Sequence, residues 1–343
     1  MKLKRTMALL MAGAMSVGLL AGCGGDSNTS NGSAESTGSG DKGTMTLVMA
    51  SRDEFLSTLE SAALKAAEDA GVKLTSQDAQ NDSAKQIQYI ETAVNGGDMA
   101  VIVVPVDCDA AQSLVDAAGE TPLVFVNRPP SDLNVLSPEN VGFCGSNEDT
   151  SGYYQGEYLA EYFKGQGKTD IKYILLQGEL GQVSQIKRCE GVLKALEDNG
   201  IKATSVIDIA GKYDRAEAMN KISPVLTSGQ AFDCIISNND AMALGAIEAC
   251  EAAGVEINFP IVGIDCTKDG AAAVQAGKMA MTVYQNPLGQ GKGAVEAALN
   301  LAAGKAANDG TEFTKDESGE AYSDSIVWIP FEPVTADNVA DYM

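Results

Sequence analysis

Histidine is absent from this 343-residue chain. Its absence removes Ser-His and Cys-His nucleophile pairs, and every histidine-containing metal site, from consideration. Tryptophan occurs once, at Trp328, and none of the seven cysteines forms a C-x-x-C pair, so the spacing supports neither a zinc nor a redox motif. Basic residues are scarce: 24 Lys and Arg face 47 Asp and Glu, for a net charge of −23. Binding nucleic acid requires a basic face to neutralise phosphates, so no nucleic-acid partner is expected, and the acidity reads as a solubility feature. No G-x-G-x-x-G follows an apolar run. "GQGKT" (165 to 169) and "GQGKG" (289 to 293) both lack the upstream glycine of a phosphate loop. Beyond the first 23 residues no apolar run reaches the roughly 20 residues that span a bilayer.

What is present begins with Lys2, Lys4 and Arg5, followed by the apolar "MALLMAGAMSVGLL" and by "AGC" ending at Cys23. Residues 1 to 22 read as a secretory signal. "LLAGC" resembles the lipobox of bacterial lipoproteins, which implies that Cys23 becomes the acylated first residue and anchors the chain to the cell membrane. Residues 23 to 43 are Gly- and Ser-rich with no aliphatic side chain larger than alanine, a disordered tether with a reach of roughly 25 Å. Removal of the signal takes away three basic residues, leaving 21 minus 47, or −26. Export permits disulfides. Even so, a body of 300 residues does not need them, and the six cysteines after Cys23 are expected as buried free thiols.

From residue 44 onward, apolar runs alternate with helix-period segments. "MTLVMA", a fainter "VKLTSQDA", "AVIVVPV", "PLVFVN" and "VGFCGS" read as strands up to residue 146. The alternation restarts with "IKYILLQG", "ATSVIDIAG", "DCIISNN", "PIVGIDC" and "MAMTVYQ". Near-continuous Val and Ile point to parallel sheets covered on both faces. The expected fold class is therefore α/β, with two successive doubly wound parallel-sheet units. A helix from about Pro287 to Gly304 and a late strand "SIVWIPF" (325 to 331) complete the order, with Trp328 expected as packing. Such units bind at the carboxyl ends of their strands, which directs attention to "SRDEF", "VNRPPS", "ELGQVSQIKR", "GKYDRAE", "SNND", "IDC" and "VYQNP".

With these loops in view, "QNDSAKQIQ", "VFVNRPPS", "SNNDAMALGAIEA", "VGIDC" and "TVYQ" resemble, in order, the periplasmic sugar-binding proteins of ABC transporters, within them the galactose/glucose-binding branch. The resemblance implies a type I periplasmic binding protein fold, two lobes joined by three crossover segments near 144 to 147, 283 to 287 and 320 to 326. Residues 44 to 145 plus 286 to 320 would form the N-terminal lobe. Residues 146 to 285 plus 321 to 343 would form the C-terminal lobe. It further implies that Asp53 and Asn127 contact sugar hydroxyls, Phe55 covers an apolar C–H face, Arg188, Asn239 and Asp265 act from the second lobe, and Gln285 sits at the hinge. Tyr213 stands where that branch has a stacking Trp, and Gln182 and Ser184 where it has a His and an Asp, so the sugar's epimer stays open: a pentose or a ketose fits the pattern as well as a hexose. The calcium loop of the branch has no counterpart in "FKGQGKTDIKY" (163 to 173), and no metal or cofactor is expected.

The residue types suit this chemistry independently. A hydroxyl donates and accepts at once, so carboxylate, amide and guanidinium groups satisfy neighbouring hydroxyls in pairs, while aromatic faces cover the ring's apolar side. Each residue also has a plainer reading. Asn239, Asp240 and Asp53 suit helix N-termini, Arg188 suits a solvated helix face, and Phe55 suits a core. The expected role is a non-enzymatic, extracytoplasmic, monomeric receptor handing a monosaccharide to an ABC permease. The alternatives are a sugar sensor for a membrane receptor and, remotely, a glycosidase using Asp53 and Asp265 as its carboxylate pair.

Overall fold

The computed structural model describes residues 43 to 313 and 322 to 343. The signal segment, Cys23, and the tether as far as residue 42 lie outside the described residues. The order of the first unit is β1 (Thr44–Met49), α1 (Glu54–Ala70), β2 (Lys73–Asp78), α2 (Ser83–Asn95), β3 (Ala100–Val103), α3 (Ala111–Ala118), β4 (Leu123–Val126) and β5 (Val141–Gly145). The second contains α4 (Glu148–Gly165), β6 (Asp170–Gln177), α5 (Val183–Asp198), β7 (Lys202–Ala210), α6 (Arg215–Thr227), β8 (Cys234–Ser237), α7 (Asp240–Ala253), β9 (Ile261–Val262), α8 (Lys268–Gln275) and β10 (Met281–Gln285). Then follow α9 (Pro287–Ala302), β11 (Ile326–Trp328) and β12 (Phe331–Thr335).

Two six-stranded sheets result, ordered β11-β5-β4-β3-β1-β2 and β12-β10-β9-β8-β6-β7. Every pairing is parallel except that of β12 with β10. Strand side chains alternate between faces, and here both faces are apolar. In the first sheet Leu47, Ile102 and Val124 pack with α1 and α9, while Val48, Val101 and Phe125 pack with α2 and α3. In the second, Ile174, Ile235 and Ile261 face α6, α7 and α8, while Leu175, Ile236 and Val262 face α4 and α5. This is the doubly wound α/β architecture, twice over. The six cysteines in the described residues are all buried and free.

The chain leaves the first sheet after Gly145, returns through Asn286 into α9, and leaves again at Ile329 and Pro330. The third crossing is thus later than expected, and the late strand does not belong wholly to the second lobe. Ile326, Val327 and Trp328 pair with Phe143, Cys144 and Gly145 of the first sheet, and Trp328 stacks edge-on against Phe143 at 5.7 Å. Pro330 has no N–H to extend that ladder, so the run splits, and Phe331 opens an antiparallel strand on β10. Residues 322 to 328 therefore go with the N-terminal lobe.

A shorter strand than expected also appears at "PIVGIDC". Ladder pairing covers only Ile261 and Val262, and the chain beyond twists through positive φ at Asp265 (118°) and Cys266 (51°), leaving one isolated bridge from Asp265 to Tyr284.

Candidate functional site

One cavity lies between the carboxyl ends of the two sheets, and all ten residues singled out from the sequence line it. The space open to the centres of water-sized spheres is about 60 Å³. Asp53, Phe55 and Asn127 come from the first lobe; Gln182, Ser184, Arg188, Tyr213, Asn239 and Asp265 come from the second; Gln285 ends β10 at a crossing. The lobes approach each other beside it, at Glu54 of the first and Thr267 of the second.

Local folding aims each group. Asp53 caps α1, its Oδ1 accepting from the Leu56 N–H at 2.7 Å, and its other oxygen remains for the cavity. Asn239 caps α7 in the same way, accepting from Met242 N–H at 3.0 Å, while its Nδ2 points to the Tyr213 carbonyl at 3.4 Å. The capping and cavity readings of both residues therefore hold together. Phe55 likewise joins the core of the first lobe and lines the cavity. Asp240, by contrast, faces away from the cavity: fully buried, it accepts from Thr282 Oγ1 at 2.6 Å and from the Thr267 N–H at 2.9 Å, fastening the loop that bears Asp265.

Three cavity residues adopt left-handed φ without being glycine: Asn127 (67°), Tyr213 (62°) and Asp265 (118°). Such conformations cost about 1–3 kcal/mol each and cluster at clamps where the backbone must turn a side chain toward a cleft. The Tyr213 ring rests on Gly178, where a Cβ would come within 2.0 Å of the ring carbon Cζ, so glycine is required there. The Tyr213 hydroxyl pairs with Ser184 Oγ at 2.9 Å.

Arg188 is the hub. Only 4% exposed, it lies on α5 where that helix meets α4 so closely that a Cβ at Gly152 would sit 2.1 Å from the Arg188 carbonyl. Its Nε and Nη2 donate to the two Glu148 oxygens at 2.9 and 3.0 Å, Nη1 donates to the Asn238 carbonyl at 2.7 Å, and Nη2 donates also to Gln285 Oε1 at 3.3 Å. A guanidinium has five N–H groups, so one, on Nη1, is left. The nearest carboxylate oxygen to it, Asp265 Oδ1, is 3.9 Å away, too far for a hydrogen bond. Burial alone would lower the Arg188 pKa, but the adjoining Glu148 carboxylate outweighs it and the group is held firmly cationic.

No sequence feature marks a desolvated acid, yet Asp265 is one. Burial raises its pKa well above the carboxylate range, against the lowering pull of Arg188 and with the added repulsion of Asp240, Asp53 and Glu148. Asp53 is raised too, first by burial, although the open cleft keeps it within reach of water. Four buried amide atoms have no partner among the described residues, and two of them, Gln182 Oε1 and Gln285 Nε2, belong to residues of the cavity lining. Both side chains line the cavity, so it presents an unmatched acceptor and an unmatched donor as well as the spare Arg188 N–H.

Glu54, Arg128, Glu148 and Thr267 also line the cavity and were not expected there. Glu148 is the most consequential omission. It occupies the first helical position after Asn147, whose Oδ1 caps Asp149 N–H at 3.0 Å, and an acidic residue there reads as a helix-dipole complement. Its position just past a crossing is the only signal in the sequence.

A family profile described as periplasmic binding protein domain matches residues 45 to 306. The chain is 34% identical over 276 residues to a putative rhizopine-binding protein of Rhizobium meliloti, covering 79% of this chain and 82% of the relative. It is 32% identical over 283 residues to the D-galactose/methyl-galactoside binding periplasmic protein MglB of Haemophilus influenzae, covering 80% and 83%. Among solved structures, an ABC transporter solute binding protein of Bacillus halodurans with bound myo-inositol matches with a TM-score of 0.75 and 31% identity, covering 89% of this chain and 99% of that one.

Proposed function

We propose a function from one premise: the chain belongs to the periplasmic binding protein domain family. It is a substrate-binding transport protein of the ABC type and not an enzyme. Its ligand, in our reading, is one uncharged polyhydroxylated ring, a galactose- or glucose-like hexose, held between the lobes and delivered to an ABC permease. Cys23 is the lipid anchor that keeps the receptor at the membrane, and the body works as a monomer. A cyclic polyol is the second reading, favoured by the 31% identical Bacillus halodurans protein that holds myo-inositol.

The observation that carries this reading is the set of unmatched polar atoms on side chains that line one small space: Gln182 Oε1, Gln285 Nε2 and one Arg188 N–H, beside the Asp53 and Asp265 carboxyls. Adjacent ring hydroxyls are donors and acceptors together and satisfy such a set without bringing in charge. Phe55 and Tyr213 supply apolar surface for the ring's C–H faces. A ligand touching Asp53 and Asn127 on one side and Arg188 and Asp265 on the other stabilises the shut form, because only that form offers both sets of contacts.

Calorimetric titration of the folded body against a panel of hexoses, pentoses and inositols tests the assignment. Saturable heat from at least one hexose or inositol is expected. A panel that is silent throughout, with amino acids or peptides binding instead, would overturn it.

A further inference from the structure

The buried ion pair of Glu148 and Arg188 does more than hold the lobe together. A bare guanidinium in a dry cleft is a fork that matches a carboxylate in geometry and charge. In this cleft the fork is already occupied. Glu148 takes the Nε–Nη2 edge with both oxygens, at 2.9 and 3.0 Å, and cancels the charge at contact distance, with the carboxylate 5% exposed. Ser151 Oγ donates to the same carboxylate at 3.2 Å and steadies it. Gln285 and the Asn238 carbonyl take two further N–H groups. The arginine is left with one N–H, fit for a single hydroxyl and unfit for a carboxylate or phosphate.

We propose that Glu148 is the specificity-determining residue of the site: by occupying and neutralising Arg188 it admits neutral rings and rejects sugar acids and sugar phosphates. This rests on the assignment of a neutral polyol as ligand, and it concerns a residue that makes its contribution through Arg188, as a positioning group. The charge balance of the cavity agrees with it. With Glu148 present, the Glu148 and Arg188 charges cancel, and Arg128, which donates one N–H to the Pro105 carbonyl at 3.0 Å, is the remaining cation of the lining beside the carboxyls of Asp53 and Glu54. An incoming anion meets those carboxyls and finds no open fork on Arg188. The carboxylate also stands at the start of α4, directly after the first crossing, while Gln285 stands at the second. The guanidinium is thereby fixed to both crossings, and its orientation is set by the frame of the hinge whether or not a ring is bound.

The test is a ratio. Titration with a neutral hexose that binds, and with the matching uronic acid, gives the preference of the wild type, expected at 100-fold or more for the neutral form. Glu148→Gln keeps the size of the side chain but removes its charge and turns an amide donor toward the guanidinium, so the fork is released. That variant is expected to bind the neutral ring more weakly and the uronic acid more tightly, lowering the ratio at least tenfold. Glu148→Asp retains the charge but cannot reach both nitrogens, and is expected to lower the ratio by a smaller factor; it serves where the Gln variant does not fold. An unchanged ratio in the folded variants overturns the proposal even while neutral binding stands. Wild-type binding of the uronic acid as tight as that of the hexose overturns it as well. Absence of any binding by the neutral panel sinks instead the ligand assignment beneath it.

Discussion

The two walls of the cavity are built differently. On the second-lobe side, Glu148, Arg188, Asn239 and Asp265 are all at most 7% exposed and cross-linked by hydrogen bonds to one another's surroundings. On the first-lobe side, Asp53 is exposed, Asn127 is half-buried and held through Gln290 Oε1 at 3.0 Å, and Phe55 belongs mainly to the core. One wall is fixed in advance and dry, the other is wetter and has fewer ties. Preorganised groups lose little freedom when a ligand arrives, so the second lobe should supply most of the affinity and the first lobe the act of closure.

The largest effect tests the fixed wall's stability. Removing one partner of a buried ion pair leaves the other charge uncompensated and costs about 3–5 kcal/mol. Glu148→Gln should therefore unfold at clearly lower denaturant concentration than the wild type without ligand, whereas Arg52→Gln, whose pair with Glu60 is half exposed, should shift the midpoint little. Equal shifts would mean that the Glu148 pair is not the structural centre of its lobe.

Affinity comes next. Asp265→Asn keeps the shape of the side chain and suits the left-handed backbone at 118°, so it exchanges one carboxyl oxygen for an amide NH2 and changes little else. A buried polar group left mismatched costs about 1–3 kcal/mol, and the dissociation constant for the ring should rise about 10- to 100-fold. Asp53→Asn on the opposite wall preserves the α1 cap, since asparagine caps as well as aspartate. Its acceptor faces water in the open cleft, and a loss of about 1 kcal/mol, roughly fivefold, is expected. If calorimetry finds Asp53→Asn the costlier change, the order of the two walls is reversed.

Much of this was legible before the fold was known. The alternation of Val- and Ile-rich runs with Gly-terminated helices determined two doubly wound units, because a parallel sheet covered on both faces has no other way to bury Leu47 and Val48 on opposite sides. Polar residues at strand ends pointed to the cleft for the same topological reason. What escaped was whatever depended on distance in space. Glu148 looks like an ordinary first-turn acid until α5 brings Arg188 against it. The late strand looks continuous until Val327 finds Cys144 and Pro330 interrupts the ladder. Asp265 looks like a strand end, and its raised carboxyl arises first from burial and then from neighbours 117, 25 and 212 positions away in the chain, at Glu148, Asp240 and Asp53.

Asp240 offers the sharpest sign. It lies beneath the fixed wall with its oxygens held by Thr282 and the Thr267 N–H, and burial raises its pKa to about 7, only partly opposed by those hydrogen bonds. In the unfolded chain an aspartate titrates near 3.9. Between about pH 4 and pH 7 the folded protein therefore holds a proton that the unfolded chain has released, and folding stability contributed by this group grows as the pH falls through that window and is lost as it rises through about 7. Asp240→Asn lacks the titration but keeps an oxygen for Thr282. Denaturant unfolding of both proteins at pH 5 and pH 8 should show the wild type's advantage over the variant shrinking by about 2–3 kcal/mol at the higher pH. Asp265 and Glu54 titrate nearby but are present in both proteins, so their shares largely cancel in the difference. A gap that stays constant or widens toward pH 8 would show that Asp240 is ionised throughout, and that the loop bearing Asp265 is anchored by a charge instead of by a neutral carboxyl.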